Sequence, residues 1–319
     1  MRLKLVPQNT SWNFFSRSKV WIGLSIVLVV LSLISFFVQS LNFGIDFRGG
    51  TSIRTESSEP INVAAYRSAL SSLDLGDITI SEVFDPSFEA DQNVAMIRIQ
   101  AQPGQEAATS ILVENSLQKL KVVSKNIKFV SVESVGPKVS GELIRTAIIA
   151  VILAISAVLF YIWIRFEWQF AVGAISALIH DVILTIGIFS LLQIKFDLAI
   201  IAAILTIVGY SLNDTVVVFD RVRENLRKFK KRSLIEVMNL SINETMSRTV
   251  MTSVTTLLAL ISLFVLGGDV IRGFVFAMIW GVVVGTYSSI FIASAILLWT
   301  GVKRDWTKPN AEAGTQVPQ

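Results

Sequence analysis

The most informative stretch of the sequence is Gly209-Tyr210-Ser211-Leu212-Asn213-Asp214-Thr215-Val216-Val217-Val218, which lies inside the apolar run Leu198–Phe219. A helix of this length can cross the roughly 30 Å hydrocarbon core of a bilayer. A carboxylate there costs about 2.5–3.5 kcal/mol on lenient insertion scales, so Asp214 must face protein or a water-filled cavity. Such a group is by default a proton or ion site, which predicts a transport or energy-coupling subunit. The alternative is a structural carboxylate, hydrogen-bonded by the neighbouring Ser211, Asn213 or Thr215.

Composition also indicates a membrane protein throughout. Apolar residues make up 52% of the chain, charged residues 16%, and the mean hydropathy is +0.62, above the range of soluble domains. Six windows are long enough to span a bilayer, namely 20–38, 146–164, 170–192, 198–219, 249–266 and 274–299. We expect the first to be an uncleaved anchor, because its apolar core is too long for a signal peptide and no small-residue cleavage site follows before Asn42.

The sequence offers little for enzymatic chemistry. It contains no cysteine and one histidine, which leaves no thiolate or clustered-histidine metal site. Neither a phosphate-binding loop nor a dinucleotide-binding glycine pattern is present. We therefore expect no catalytic site, no cofactor and no metal, and an energy source other than nucleotide hydrolysis.

Basic residues are concentrated on one side of the predicted spans, which orients the chain by the positive-inside rule. They occur at positions 2, 4, 17, 19, 221, 223, 227, 228, 230–232, 303, 304 and 308, whereas the links 193–197 and 267–273 hold one each. We therefore expect both termini in the cytoplasm, with cytoplasmic segments at 1–19, 220–248 and 301–319, the last of them disordered. The counter-charge for the net +4 is then anionic lipid rather than nucleic acid.

The segment 39–145 is predicted to form a separate domain outside the membrane. Alternating and helical apolar patterns give the order β-α-β-β-α-β, with strands at 51–55, 78–84, 94–100 and 127–133 and helices after Pro60 and at 105–120. This is the order of a small α+β, ferredoxin-like (split βαβ) unit. The domain is either a spacer or a docking surface for an exported chain or a partner, and its folded core favours the second, because a spacer needs no core.

The predicted charge partner of Asp214 is Arg248. The fourth span runs toward the cytoplasm and the fifth runs back, so residues near their connection share a depth. At helical rise, Asp214 lies about 9 Å and Arg248 about 6 Å inside the membrane. Thr252 and Thr255 continue a polar stripe above Arg248. The alternative is an interfacial arginine that extends to lipid head groups.

A second pair of titratable residues, His180 and Asp181, lies about 15 Å into the third span. Because adjacent helical residues point about 100° apart, at most one of the two faces a given neighbouring helix squarely. A proton relay is one interpretation of the pair. The other is a polar clamp between helices, with a neutral, hydrogen-bonded His180.

Small residues recur every fourth position along the sixth span, at Gly281, Gly285, Ser289 and Ala293. Such ribbons allow close backbone packing where lipid provides no hydrophobic drive for association. The ribbon predicts close packing, either within this chain or on a partner.

Two connections carry local signals. Gly49-Gly50, after the first span, fits a tight turn into the first strand, with Asp46 and Arg48 as a surface pair. Ser233-Leu234-Ile235-Glu236 fits a capping box, and the apolar residues after it predict a short helix in the cytoplasmic interface.

Five motifs occur in order along the chain, and together they resemble one family. They are Gly44-Ile45-Asp46-Phe47-Arg48-Gly49-Gly50, His180-Asp181-Val182, Gly209-Tyr210-Ser211-Leu212-Asn213-Asp214-Thr215, Asp220-Arg221-Val222-Arg223-Glu224-Asn225 and Arg248-Thr249-Val250-Met251-Thr252-Ser253. Each is unspecific alone. All five, on six spans with one external domain, resemble the SecF family of accessory subunits of the bacterial Sec protein translocase over residues 45–300.

The resemblance implies one half of a transporter similar to the resistance-nodulation-division superfamily. It implies pairing with SecD, association with the SecYEG channel, and use of the proton-motive force to promote preprotein export across the inner membrane. In that family, the aspartate of the Asn213-Asp214-Thr215 motif and the arginine at Arg248 belong to the proton pathway, and the external domain contacts the emerging chain. Two alternatives stay open: a half-size proton-coupled exporter of small molecules or lipids, and a structural scaffold.

Overall fold

The computed structural model describes residues 10–73, 75, 78–83, 85, 88–89, 91–100, 109–124 and 126–302. The predicted disordered tail lies outside these residues from position 303 onward. So do the first nine residues and the part of the second domain helix predicted at 105–108.

The described chain consists mainly of helices, with one small sheet. The helices are α1 Ser18–Gln39, α2 Ile45–Arg48, α3 Val63–Leu70, α4 Thr109–Leu120, α5 Pro137–Arg165, α6 Trp168–Leu192, α7 Leu198–Lys228, α8 Leu234–Leu266, α9 Gly268–Ser288 and α10 Ser294–Thr300. The strands are β1 Gly50–Ser57, β2 Ile78–Val83, β3 Asn93–Gln100 and β4 Lys128–Val135. A π-helical turn, Ser289–Ala293, joins α9 to α10.

Six helices among the described residues are long and apolar enough to cross a membrane. They are Ser18–Gln39, Lys138–Arg165, Trp168–Leu192, Leu198–Lys228, Leu234–Leu266 and Val270–Thr300, the last comprising α9, the π turn and α10. Each contains one predicted window, which confirms the six apolar helices. In their most apolar windows, half or more of the residues of α6, α7 and the last helix are buried, against 11% in α1, α5 and α8. Helices α6 and α7 and the last helix therefore form the interior of the helical part.

The helices that flank the 220–248 segment are longer than predicted. α7 continues to Lys228, and α8 begins at Leu234 and runs without a break to Leu266. The capping box is confirmed: Glu236 N donates to Ser233 Oγ (3.3 Å), and Ser233 N donates to Glu236 Oε2 (3.1 Å). The prediction of a separate short interfacial helix is wrong. No glycine or proline follows the capping box to end the helix, and each further helical residue adds a backbone hydrogen bond.

The small domain is an antiparallel four-stranded sheet with helices α3 and α4. In chain order the elements are β1, α3, β2, β3, α4 and β4, and the strand order across the sheet is β2-β3-β1-β4. Ile53 pairs with Ile97, and Ile97 with Ile80, so one face of the sheet is apolar. That face packs on the helices through a core that includes Ile53, Tyr66, Leu70, Ile97 and Leu120. The domain thus has a hydrophobic core of its own.

Candidate functional site

Asp214 lies in the middle of α7 and is buried between α8 and the last helix. Thr249 Oγ1 of α8 donates to Asp214 Oδ1 (2.5 Å), and Ser289 Oγ of the π turn donates to Asp214 Oδ2 (2.5 Å). The residue is 8% exposed. None of the ion pairs formed among the described residues includes Asp214. Its neighbours are hydroxyl groups from two other helices.

Asp181 of α6 is a second buried carboxylate with the same kind of surroundings. Its Oδ2 accepts hydrogen bonds from Ser211 Oγ of α7 (2.6 Å) and Ser288 Oγ of α9 (2.8 Å). Its Oδ1 lies 3.1 Å from Nδ1 of His180, which is also buried. Asp181 therefore joins three helices, as the clamp interpretation expects, and one carboxyl oxygen faces a titratable ring, as a relay would require.

The π turn brings the two carboxylates to consecutive residues of the last helix. Ser288 donates a hydrogen bond to Asp181, and Ser289 donates one to Asp214. Single π turns of this kind are frequent at functional sites, where they redirect side chains within a helix. Each serine hydroxyl also lies near a backbone carbonyl, Ser288 Oγ at 3.2 Å from Gly285 O and Ser289 Oγ at 3.1 Å from Thr286 O. Each hydroxyl therefore has an alternative acceptor.

Hydroxyl partners suit a carboxyl group that gains and loses a proton. A hydroxyl donates to the ionised carboxylate, and it can accept from the protonated acid when its own hydrogen turns to another acceptor. Lysine or arginine would stabilise the ionised form alone. Ser289 has the required second acceptor in Thr286 O. The surroundings of Asp214 can thus hold both protonation states.

Arg248 and Asn213, both predicted beside the proton site, lie on the outer face of the helices. Both side chains are exposed, and Arg248 makes no ion pair with Asp214. Arg248 still attracts the Asp214 carboxylate through space, and it precedes Thr249, which makes the direct contact. The sequence predicts a partner for Asp214 on this turn of α8, but it does not single out Thr249 or Ser289, although Ser289 belongs to the predicted small-residue ribbon.

Gly281 and Gly285 set the distance between the last helix and α7. A Cβ at Gly281 would overlap the side chain of Ile207, and one at Gly285 would lie 3.0 Å from Ser211 Cβ. These contacts are within the same chain. The two glycines therefore hold the last helix close enough to α7 for Ser288 and Ser289 to reach the carboxylates.

The predicted surface pair between Asp46 and Arg48 is wrong. Asp46 Oδ2 accepts a hydrogen bond from Leu198 N (3.1 Å), at the first residue of α7, whereas Arg48 is exposed. The four-residue helix α2 orients the Asp46 side chain toward the α6–α7 connection rather than toward Arg48. Gly49 and Gly50 have φ values of 70° and 130°, which glycine adopts readily, and they lead into β1 as predicted.

Comparison with known protein families identifies the class of protein. Residues 115–303 match the family model described as "Protein export membrane protein SecD/SecF, C-terminal", and residues 34–61 match the "SecD/SecF GG Motif" model. The first match contains both buried carboxylates, and the second contains Asp46 and the glycine pair. The fold and the two matches define a multi-pass membrane protein of the protein-export class.

Curated relatives narrow the assignment. The chain is 59% identical over 315 residues to the protein translocase subunit SecF of Cereibacter sphaeroides, with 99% of this chain and 97% of the relative covered. It is 41% identical over 298 residues to that of Vibrio alginolyticus, with coverages of 93% and 92%. The chain belongs to the SecF family of protein translocase subunits.

Solved structures agree with this assignment. The crystal structure of SecDF from Thermus thermophilus, described as a translocon-associated membrane protein, superposes with a TM-score of 0.81 at 34% identity. The match covers 94% of this chain and 40% of the SecDF chain, so this chain spans less than half of that protein. A SecDF structure described as the super-membrane-facing form gives a TM-score of 0.68 at 35% identity and the same coverages.

Proposed function

We propose that this chain pairs with a SecD-like half and uses the proton-motive force to promote preprotein export across the inner membrane. Asp214, assisted by Asn213 and Arg248, is the coupling site in this proposal. The observation that carries it is the buried Asp214 carboxylate, whose two direct partners are hydroxyls able to serve either protonation state.

The energy available at such a site is sufficient for a conformational change. One proton that crosses a potential of ~150 mV releases about 3.5 kcal/mol. That is enough to shift a two-state equilibrium between helix arrangements by more than two orders of magnitude. Protonation of Asp214 removes its attraction for Arg248 and reverses its hydrogen bond with Ser289 or Thr249. Both changes act on contacts that join α7 to α8 and the last helix.

Pairing with SecD is supported by a polar stripe on the exposed faces of α7 and α8. The stripe consists of Thr206, Asn213, Arg248, Thr252 and Thr255, all exposed. The three threonine hydroxyls donate to carbonyls of their own helices. The side-chain amide of Asn213 and the guanidinium of Arg248 are the two groups of the stripe that need a polar environment. Within a bilayer such groups face protein or water rather than lipid. A second helical half, as in the longer SecDF chain, fits this requirement.

The same surface provides a test of SecD pairing and of the function as a whole. We expect SecD- and SecY-like proteins to co-purify with the wild-type chain in mild detergent. Arg248→Leu should reduce recovery of the SecD-like protein by roughly tenfold, because the guanidinium lies in the proposed interface. The matched control is Arg145→Leu on α5, an exposed arginine away from the stripe, which should co-purify normally. Undiminished recovery with Arg248→Leu, at equal protein levels, would contradict this interface.

The small domain is proposed to be a ferredoxin-like unit that lies outside the cytoplasm and contacts the emerging preprotein. Its element order and its strand order β2-β3-β1-β4 support the ferredoxin-like assignment. The match to SecDF falls from a TM-score of 0.81 to 0.68 in the super-membrane-facing form at equal coverage. That difference supports a family fold with more than one arrangement, as a moving domain requires.

A half-size exporter of small molecules or lipids is less well supported. Such an exporter needs an apolar cleft in its external part. A groove at one end of the described small domain is instead lined mainly by polar and charged residues, namely Glu56, Ser57, Ser58, Glu89, Asp91, Gln92, Lys121, Asn126, Ile127 and Lys128. This lining suits an extended polypeptide better than an apolar ligand, because it offers both hydrogen-bond donors and hydrogen-bond acceptors.

The orientation is proposed from the basic residues, with both termini and the connection after α7 in the cytoplasm. A reporter that is active only outside the cytoplasm should be active when inserted after Asn126, in the small domain. It should be inactive when fused after Lys231 or at Gln319. Activity at Lys231 would show that the orientation is reversed.

A further inference from the structure

The segment between α1 and the small domain is bound to the start of α7. Gly44 N donates to Phe196 O (2.8 Å), and Phe196 N donates to Asn42 O (2.8 Å), which gives a short bridge between Phe43 and Phe196. A Cβ at Gly44 would lie 2.8 Å from Lys195 Cε and 3.3 Å from Asp197 Cβ. A side chain at this position would therefore require the Lys195 side chain and Asp197 to shift. The contact is specific rather than incidental.

Asp46 extends this contact to the first turn of α7. The first backbone N–H groups of a helix have no partner within it. Asp197 caps α7 from the adjacent residue and accepts from Ile200 N (3.3 Å), as an ordinary N-cap does. Asp46 accepts from Leu198 N although it lies 152 residues earlier in the chain. Asp197 also has a cation, Lys195, at 3.4 Å.

Beyond Asp46 the backbone turns sharply into the sheet. Gly49 and Gly50 both have positive φ values, and Gly50 is the first residue of β1, which pairs with β3 and β4. β1 is therefore an inner strand of the sheet. The glycine turn therefore lies between the contact of Asp46 with α7 and the sheet of the small domain.

We propose that Asp46 is a positioning residue that ties the small domain to α7, the helix that carries Asp214. Through this tie a displacement of α7 is transmitted to the small domain, which turns about Gly49 and Gly50. The inference rests on the proposed proton coupling at Asp214 for its role in export, but the tie itself is a property of the fold. In this proposal Asp46 anchors the segment to α7, and Gly49 and Gly50 allow it to bend.

The tie can be measured directly by pulsed electron spin resonance. The chain has no cysteine of its own, so nitroxide labels can be placed at Lys128→Cys on β4 and Ala199→Cys on α7, both exposed. We expect one narrow distance distribution in the full-length protein in lipid. Asp46→Ala should shift about fivefold more of the population into a broad distribution, as for loss of a cap contact worth roughly 1 kcal/mol.

Two variants separate a tie from a simple helix cap. Asp46→Asn keeps an acceptor for Leu198 N and should keep the narrow distribution. Asp197→Ala removes a cap from the same helix end but no contact with Asp46, and it should also stay narrow. The proposal is overturned if Asp46→Ala stays narrow, if Asp46→Asn broadens as much as alanine, or if Asp197→Ala broadens equally.

Translocation assays then connect the tie to export. Gradient-dependent stimulation should fall about fivefold in Asp46→Ala, because this variant loses the contact with Leu198 N. It should remain in Asp197→Ala, which keeps that contact. If the wild-type protein shows no gradient-dependent stimulation, the proposed function fails while the distance measurements still decide the tie. Broad distances with normal stimulation in Asp46→Ala would overturn the role of the tie in coupling.

Discussion

Replacement of Asp214 by asparagine should abolish the part of preprotein translocation that depends on the proton gradient. The amide has nearly the shape of the carboxyl group, and its oxygen can accept from Thr249. Its NH₂ group can donate to Ser289 Oγ, whose hydrogen then turns to Thr286 O, 3.1 Å away. The helices should therefore pack as before. What is lost is proton exchange, and with it about 3.5 kcal/mol of driving energy per proton at ~150 mV.

The measurement is translocation into inverted membrane vesicles, with and without an imposed gradient, at equal protein levels. We expect stimulation by the gradient to fall more than about tenfold, since the lost bias exceeds two orders of magnitude. Asp220→Asn is the matched control: it makes the same chemical change on the same helix, in an exposed ion pair with Arg165, and should have little effect. Full gradient-dependent stimulation by Asp214→Asn would leave a structural aspartate.

The sequence was sufficient to find the carboxylates but not their partners. An acidic residue in an apolar run is visible to a hydropathy argument, and the rise per residue predicts similar depths for Asp214 and Arg248. Which way a side chain faces depends on how helices pack, and here that depends on Gly281 and Gly285 and on one π turn. A regular 3.6-residue period cannot reveal that turn. Depth alone therefore predicts Arg248 beside Asp214, whereas it is Thr249 that makes the hydrogen bond.

The same distinction applies to the fold. The six apolar helices and the order of strands and helices in the small domain follow from local periodicity, which the sequence displays directly. The contact between Asp46 and Leu198 joins residues far apart in the chain, and its only sequence signal was a carboxylate before two glycines. A nearby opposite charge, Arg48, offered a simpler local partner. Long-range backbone contacts of this kind carry no periodic signal.

Removal of the small domain should leave a membrane-inserted protein that cannot support export. Thr51–Val135 is a natural segment to excise, because Gly50 pairs with Val135 across β1 and β4, so the chain enters and leaves the sheet at neighbouring positions. The domain has its own core, so its loss need not unfold the six long helices. We expect normal membrane levels and a more than tenfold loss of export stimulation, if the domain contacts the emerging chain as proposed.

A point variant distinguishes a working domain from a spacer of fixed length. Ile53→Asp places a carboxylate in the core of the sheet, where the wild-type side chain is fully buried, and should unfold the domain while its length remains. Val130→Asp makes the same change of polarity on an exposed position of β4, 53% accessible, and should be neutral. Export stimulation should be lost in Ile53→Asp and kept in Val130→Asp. Normal export by both Ile53→Asp and the excised chain, at wild-type membrane levels, would reduce the domain to a spacer.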